Sequence, residues 1–148
     1  MKIEELKHGM VLNNEEVAKT FLCSPQGGMR RSLRTNSLVL ISDQTKVYHD
    51  RWQNGVFLYT GMGLTGNQDF GYMQNKTLYE SNENGVCLYL FEVFKPKEYT
   101  YVGIAELAAT PYTEQQSLFK VFCKTRYMNC YIIKTTGGTP WAENETTG

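Results

Sequence analysis

The hydrophobic positions of the chain fall into short apolar runs separated by turn residues, a pattern typical of β-structure. The run NSLVLIS is bounded by polar turns and predicts a buried strand over Ser37 to Ser42. VFLYTG follows the turn dipeptide Asn54-Gly55 and predicts a second strand. We expect a polar connection from Asp43 to Asn54, and a hairpin-like excursion between Leu40 and Val56.

The same short apolar runs continue in the C-terminal half of the chain. GVCLYLFEVF and TYVGIAEL flank the sequence PKEY and predict a hairpin-like pair of strands. Weaker patterns predict strands from Leu118 to Cys123 and from Tyr127 to Lys134. Four side chains of the hairpin-like pair are expected in one barrel interior: Phe91, Val93, Tyr101 and Ile104.

Two segments carry helix signals. Asn13 and Asn14 offer N-cap oxygens before EEVAKTF, and Glu16 lies three residues after Asn13, as in a capping box. This pattern predicts a short helix from about Glu15 to Phe21. A glycine-punctuated loop after the VFLYTG strand leads to a second predicted helix, from about Gln74 to Ser81.

These elements predict an α+β fold that is mainly β, with five or six strands and two short helices. Strands of this length close naturally into a small, partly open β-barrel. The length of 148 residues suits one domain, which we place at residues 1–134. We expect residues 135–148, TTGGTPWAENETTG, to be a disordered tail.

Composition favours an aromatic-rich β-domain and gives no global charge signal. Ten Tyr and seven Phe stand against four Pro, and the net charge is formally zero. Basic residues are nevertheless segregated, because residues 28–54 hold five bases and two acids, and residues 115–142 hold four bases and no acids. Such segregation suits a phosphate backbone or a solvated face.

The cysteine and histidine positions point to no metal site or cofactor. Four cysteines form no C-x-x-C pair, and the only histidines are His8 and His49. The sequence shows no signal peptide and no apolar run near 18 residues. We therefore expect a cytoplasmic protein with reduced thiols.

The segment KVYHDRWQNGVFLYTGMG carries the candidate chemistry. Tyr48, Trp52 and Tyr59 offer aromatic faces, and Asp50 adds a carboxylate. Two or three rings and one carboxylate are what a protein needs to stack a nucleobase and bond its edge. The alternatives are that the rings are core residues and that Asp50 caps the Asn54-Gly55 turn.

Five blocks occur along the chain in a specific order: SLVL, Y-x-D, YTGxG, QNKTL and LFEVF. In this order they resemble the SRA domain, also called the YDG domain, a PUA-like barrel that reads modified cytosine in DNA by base flipping. The resemblance covers about Lys7 to Gln116 and is closest to the SRA-like module of bacterial McrA-type, modification-dependent HNH restriction endonucleases. After Gln116 the sequence diverges from that pattern.

The resemblance implies roles for individual residues. Tyr59 would stack on the flipped base, Asp50 would read the cytosine edge, and Tyr48, with Trp52 as the alternative, would form the second face. Thr60 and Gly61 of the YTGxG block complete the implied modified-base pocket. Contacts to the DNA backbone or groove are expected from two arginines that the loop PQGGMRRS delivers and from six further residues: Arg30, Arg31, Arg34, Lys46, Arg51, Met62, Asn67 and Gln68.

The implied function is a non-enzymatic reader of double-stranded DNA that contains 5-methyl- or 5-hydroxymethylcytosine. An HNH nuclease needs a clustered His/Asn/His site, and this chain has two histidines 41 residues apart. We therefore expect a specificity module of a restriction system, with a separate or fused nuclease as partner and a homodimer left open. The alternatives are an RNA-binding PUA-like domain, and an interaction or inhibitor protein on the same scaffold.

Overall fold

A computed structural model describes residues 1–46, 50–62, 68–118 and 124–135. Within these ranges it contains nine strands and three α-helices, together with a single 3-10 turn at Ile3–Glu5. The helices are α1 (Asn14–Phe21), α2 (Gln74–Tyr79) and α3 (Ser81–Asn84). The strands are β1 (Val11–Leu12), β2 (Met29–Ser32), β3 (Ser37–Asp43), β4 (Arg51–Gln53), β5 (Val56–Thr60), β6 (Cys87–Lys95), β7 (Glu98–Leu107), β8 (Tyr112–Leu118) and β9 (Lys124–Thr135).

The strands form one mixed sheet in the order β2-β3-β6-β7-β9-β5-β4, with β1 on β7 and β8 on β9. Neighbouring strands are antiparallel except β3 and β6, which run parallel. The sheet curls without closing, so the predicted α+β, mainly β, partly open barrel is confirmed. The described residues form nine strands and three α-helices, which is more than the predicted five or six strands and two helices.

Several local predictions are confirmed. The strand at β3 and the β6–β7 hairpin form as expected, and Tyr127 to Lys134 lies within β9. At α1, Asn13 Oδ1 accepts from the Glu16 amide at 2.8 Å, and Glu16 Oε1 accepts from the Asn13 amide at 2.9 Å. This reciprocal capping satisfies two amides that the first turn of a helix leaves without a partner.

Other local predictions are wrong. Asp43 to Asn54 is not only a polar connection, because β4 forms there and pairs with β5 across Asn54-Gly55. The expected excursion from Leu40 to Val56 is not a hairpin, since β3 and β5 are not sheet neighbours.

The second predicted helix is divided into α2 and α3, and the chain between α1 and β3 forms strand β2. Of the strand predicted from Leu118 to Cys123, only Leu118 is described, as the last residue of β8, so β8 itself was not predicted. Residues 119–123 lie outside the described residues, as do residues 136–148 of the expected tail.

Apolar side chains cover both faces of the sheet. The inner cluster lies within the curl of the sheet, whereas the outer cluster lies under α1. The inner cluster includes Leu38, Leu40, Phe57, Tyr59, Leu88, Leu90, Val102, Tyr131 and Ile133. The outer cluster consists of Leu12, Val17, Phe21, Val39, Ile41, Phe91, Val93 and Tyr101.

An irregularity in the β6–β7 pairing explains why one prediction of the core is wrong. Phe91, Val93 and Tyr101 belong to the outer cluster, and Ile104 is 48% exposed. The register shifts between Leu90 and Phe91, which leaves Val102 as an extra residue on β7. An extra residue reverses the alternation of side chains. Even-numbered residues of β7 therefore face inward before the bulge, and odd-numbered residues face inward after it.

Across the described ranges, no helix combines the length and the apolar character needed to cross a membrane. Cys23, Cys87 and Cys130 are free thiols. Cys123 lies outside the described residues.

Candidate functional site

The parallel strands β3 and β6 change from apolar to polar at the same level of the sheet. Leu40 faces Leu90 in the register, and the next inward pair is Ser42 and Glu92. Ser42 and Glu92 are both buried, at 0% and 2% exposure. Buried polar groups need hydrogen-bond partners, so this polar pair defines a constrained end of the inner face.

Asp50 lies at this polar end, immediately before β4. Its Oδ1 accepts a hydrogen bond from the Thr60 amide at 2.7 Å, and its Oδ2 accepts one from the Ser42 hydroxyl at 2.8 Å. Asp50 thereby joins the end of β5 to the end of β3.

The surroundings of Asp50 change its acidity. Burial is the largest influence and raises its pKa from 3.8 to about 6, with a further increase from the Glu92 charge. The bonds from Thr60 and Ser42 act in the opposite direction because they stabilise the ionised form. Desolvation is therefore stronger than the donors, and the carboxyl titrates close to neutrality.

A chain of hydrogen bonds continues from Asp50 to the buried carboxylate of Glu92. Gln44 Nε2 donates to Ser42 Oγ at 3.0 Å and to Glu92 Oε2 at 3.3 Å. Trp52 Nε1 donates to Glu92 Oε1 at 3.1 Å. A donor faces each oxygen of Glu92, the arrangement that an ionised carboxylate requires.

Tyr59 connects the last strands of the sheet to the first. Its hydroxyl donates to the carbonyl oxygen of Gly28 at 2.7 Å and lies 3.2 Å from that of Ile41. Its ring is 2% exposed and belongs to the inner cluster. Trp52 is half-buried and packs against the same cluster, with its ring 4.9 Å from that of Phe57.

Asn75 fixes the backbone that follows Tyr59. It is fully buried, accepts from the Met62 amide at 2.7 Å and donates to the Met62 carbonyl at 3.0 Å. Gln68 donates to the Gly61 carbonyl at 2.6 Å and accepts from the Asn129 amide at 2.8 Å. These amide groups leave no room at Gly61, where a Cβ would lie 2.8 Å from Asn75 Oδ1.

The arginines of β2 are engaged within the protein. Arg30 is 5% exposed, donates to the Gly27 carbonyl and to Asn14 Oδ1, and lies over the ring of Tyr99. Arg31 is half-buried and donates to backbone carbonyl groups and to a side-chain amide oxygen. Its three acceptors are the carbonyl oxygens of Ser32 and Ser37 and Asn36 Oδ1.

The other predicted backbone-contact residues differ in exposure and position. Arg34 and Lys46 are exposed at opposite ends of β3. Arg51 forms an ion pair with Glu114 of β8, with Nη2 and Oε1 2.7 Å apart. Tyr48 and Asn67 lie outside the described residues.

The sequence-based reading brought Asp50, Trp52, Tyr59, Thr60 and Gly61 to one region, but it missed three further residues: Ser42, Gln44 and Glu92. A signal for two of them exists. Alternate positions of β3 read Leu, Leu, Ser, and those of β6 read Leu, Leu, Glu. A polar residue that ends an inward-facing apolar series marks the end of the apolar core on that strand, but its partner strand must be known before the pair is visible. Gln44, beyond β3, has no such signal.

Within the described ranges, no group of three or more His, Cys, Asp and Glu side chains is arranged to hold a metal ion.

The curled, partly open sheet is an SRA-like fold, and solved SRA structures share it. The family model described as "ScoMcrA-like, SRA domain" matches residues 8–116. The chain belongs to that family, which confirms the resemblance to an SRA domain close to McrA-type proteins.

Three solved structures illustrate the likeness. The sulfur-binding and SRA domains of ScoMcrA, complexed with phosphorothioated DNA, align with a TM-score of 0.69 and 16% identity, over 88% of this chain and 40% of that chain. The SUVH5 SRA complex with methylated CHH DNA aligns with a TM-score of 0.62 and 17% identity, over 91% and 97%. The DNA modification-dependent restriction endonuclease AspBHI gives 0.60 and 15%, over 83% and 38%.

At these identities the structural likeness shows the fold alone. The chain spans 40% and 24% of the two ScoMcrA chains that it matches. No curated protein sequence matches the chain.

Proposed function

We propose that this chain is a DNA-reading module that binds double-stranded DNA containing 5-methyl- or 5-hydroxymethylcytosine and flips the modified base into the recess at Asp50. The observation that carries the proposal is the desolvated Asp50 carboxyl, held at the end of the Tyr59 strand in a chain of the SRA family. Solved relatives described as complexes with methylated or phosphorothioated DNA support the choice of DNA as ligand.

The hydrogen bonds of Asp50 suit a base with an exocyclic amine. Asp50 Oδ1 accepts from the Thr60 amide, Oδ2 accepts from the Ser42 hydroxyl, and the Thr60 side chain also bonds the carboxyl. Since a carboxylate offers about four lone-pair sites, an acceptor remains for the N4 amine of cytosine. Thymine has a carbonyl oxygen at the same position, and the lone pairs of the Asp50 carboxylate would repel it.

Aromatic stacking would offset the cost of flipping. Removing a base from the duplex costs a few kcal/mol, and each aromatic stack returns roughly 1–3 kcal/mol. In the proposed complex Tyr59 supplies one face, and Tyr48 or Trp52 supplies the other. Because the Tyr59 ring is 2% exposed, side chains over it must move before a base can stack there.

Contacts outside the recess complete the proposal. Lys46 and Arg34 are exposed cations for phosphate, and Arg51 becomes one if DNA displaces Glu114. We assign Met62 and Asn67 to the duplex side of the recess, where an inserted side chain replaces the flipped base. Gln68 bonds the Gly61 carbonyl and the Asn129 amide, so it must leave these partners before it can contact the duplex. Arg30 and Arg31 bind protein groups, so we assign them the support of the β2 edge rather than phosphate.

The same proposal covers the cellular role. The chain acts as the specificity module of a modification-dependent restriction system in the cytoplasm, with a separate or fused nuclease supplying cleavage, and with a homodimer as one mode of assembly. It has no cofactor and no nuclease activity of its own. DNA cleavage by the purified chain with Mg²⁺ or Mn²⁺ would contradict this role.

The test is a titration of matched duplexes that differ only in one cytosine: unmodified, 5-methyl or 5-hydroxymethyl. We expect wild-type protein to prefer one modified duplex, and Asp50→Ala and Tyr59→Ala to lose that preference while both variants retain a folded sheet. A matched RNA serves as competitor. Equal affinity for the three duplexes, or a preference for RNA that Asp50→Ala leaves unchanged, would contradict the proposal.

A further inference from the structure

Glu92 is a buried carboxylate whose role the base-reading proposal does not explain. It lies on β6 at 2% exposure, beside Ser42 of β3 in the register. Burying a charge is costly unless donors satisfy it, and both oxygens of Glu92 have donors. An apolar residue would continue the Leu88 and Leu90 series at lower cost, so the acid has a local purpose.

The hydrogen bonds from Glu92 to Asp50 have a fixed direction. Glu92 only accepts, so it turns the NH₂ group of Gln44 toward itself. The same nitrogen donates to Ser42 Oγ, so the Ser42 hydroxyl keeps its own proton for Asp50 Oδ2. The order of donation therefore runs from Gln44 through Ser42 to Asp50, and Glu92 sets it.

We propose that Glu92 is a positioning residue for the base-reading carboxyl: through Gln44 and Ser42 it presents Asp50 as an acceptor, and through Trp52 it fixes one wall of the recess. This inference rests on the proposed function, because it concerns how Asp50 is prepared for a base. Glu92 itself does not touch the base.

The substitution Glu92→Gln reverses the chain of donors. The introduced glutamine accepts from Trp52 with its oxygen and turns its NH₂ group toward Gln44. The side-chain amide of Gln44 must then present its oxygen to residue 92, and this oxygen also faces Ser42. The Ser42 hydroxyl donates to Gln44, and Asp50 Oδ2 loses its bond from Ser42.

This reversal has a measurable sign. The Ser42 bond lowers the Asp50 pKa more than the Glu92 charge raises it. If the relay reverses, Glu92→Gln raises the Asp50 titration midpoint, although it removes a negative charge. In a Ser42→Ala background no relay exists, and the same Glu92→Gln substitution lowers the midpoint.

Other ionisable groups near Asp50 stay constant across these variants. Among the described residues they are the Cys130 thiol of β9 and the Arg51 guanidinium, which Glu114 of β8 engages. Burial raises the pKa of Cys130.

The experiment is a ¹³C titration of the Asp50 carboxyl in the free, full-length protein, for the wild type, Glu92→Gln, Ser42→Ala and the double variant. We expect Glu92→Gln to raise the midpoint in the wild-type background and to lower it in the Ser42→Ala background. A lowered midpoint in both backgrounds overturns the inference. Because no DNA is present, this outcome is independent of whether the chain reads modified cytosine.

Binding supplies the second readout. With the preferred modified duplex, Glu92→Gln and Ser42→Ala should each weaken affinity roughly tenfold, the effect of one hydrogen bond to a charged group. The double variant should be no weaker than the more affected single variant, since both changes remove the same donor. If the affinity loss of the double variant instead equals the product of the two single losses, the relay is contradicted. A wild type without preference for any modified duplex defeats the proposed function but not the titration result.

If Glu92→Gln does not fold, Gln44→Met interrupts the relay from an exposed position. It should raise the Asp50 titration midpoint, because the Ser42 hydroxyl is no longer oriented toward Asp50. The increase should be smaller than in Ser42→Ala, which removes the hydroxyl. An unchanged midpoint overturns the inference.

Discussion

At the scale of single residues, the burial of Asp50, for which we propose a binding role, has a cost in stability. Burial raises its pKa to about 6, compared with an ordinary value of 3.8. Between these two values the folded protein holds a proton that the unfolded chain has released. Its contribution to the free energy of unfolding therefore falls as pH rises from about 4 to 6, and it stays low above that window.

Asp50→Asn tests this linkage. Relative to the variant, the wild type should lose roughly 2–3 kcal/mol in free energy of unfolding between pH 4 and pH 7, because the variant has no carboxyl to ionise. Urea unfolding of both proteins across this range measures the difference. A difference that does not depend on pH would show that Asp50 titrates at its ordinary pKa. The same variant should bind modified duplexes more weakly.

Tyr59 offers a second residue-scale prediction, because its ring and its hydroxyl have separable roles. Tyr59→Phe removes the bonds to Gly28 and Ile41 and should cost about 1 kcal/mol in stability. The stacking face remains, so affinity for modified DNA should change little. Tyr59→Ala should lower both stability and affinity, the affinity by roughly tenfold or more. A Phe variant as weak in binding as the Ala variant would contradict a stacking role.

The sequence-based prediction of the site rests on residues of one hairpin, and their role in binding stays a prediction. The spacing of Asp50 and Tyr59 is a property of a single hairpin, β4–β5, and is therefore visible in the sequence. Ser42 and Glu92 are brought together by the pairing of strands 50 residues apart. No local pattern specifies that pairing, so their partnership with Asp50 could not be predicted.

At the scale of elements, side-chain amides hold the backbone of Gly61 and Met62. Asn75, Gln68 and Asn129 crowd Gly61. Because Thr60 donates to Asp50 from the residue before Gly61, the geometry at Gly61 also affects the position of the Asp50 carboxyl.

Gly61→Ala should destabilise this element. Its Cβ would lie 2.8 Å from Asn75 Oδ1 and 3.1 Å from Gln68 Oε1, and overpacking of this kind costs about 1–3 kcal/mol. The matched control is Gly28→Ala, where the nearest atom, the Tyr59 hydroxyl, is 3.6 Å away. Thermal unfolding compares the two variants. Equal stability would mean that the amides around Gly61 move aside freely.

Elements defined by local chemistry were predictable, and elements defined by their neighbours were less so. The Asn13 capping box and the β6–β7 hairpin followed from the sequence. The bulge at Val102 did not, because it depends on how β7 pairs with β6. Its effect on side-chain direction is why Ile104 was expected in the core and is exposed.

At the scale of the whole molecule, net charge is zero, so any DNA affinity must come from local cations. Lys46 follows β3 at the end that carries Ser42, whereas Arg34 precedes β3 at the opposite end. A duplex whose base enters the recess therefore passes closer to Lys46 along this strand. Arg30 is buried against Asn14 and Tyr99 and contributes to stability instead.

Salt dependence of binding tests this distribution. Lys46→Gln should weaken binding to modified and unmodified duplexes alike and reduce the slope of log affinity against log salt by about one. Arg34→Gln, the matched control, should change the slope by less. A larger effect from Arg34→Gln would place the duplex along the other end of β3.

The overall class of the fold was predictable because strand runs and turn residues are local. The order of strands was not, since it places β5 and β4 after β9 and inserts β6 beside β3. The ordered blocks from SLVL to LFEVF indicate the SRA family. The family implies an order of strands, which hydrophobic periodicity alone does not.

The parallel pairing of β3 with β6 also has a kinetic consequence. The chain between them, residues 44–86, contains Asp50, Tyr59 and the three amides of Asn75, Gln68 and Gln44. Closing so long a connection is entropically unfavourable and makes non-local sheets slow to fold. Most residues of the proposed recess therefore lie on the connection whose closure we expect to limit folding, and Ser42 and Glu92 lie on the strands that flank it. Substitutions in the recess should alter refolding rates as well as affinity, and stopped-flow refolding of the same variants would reveal it.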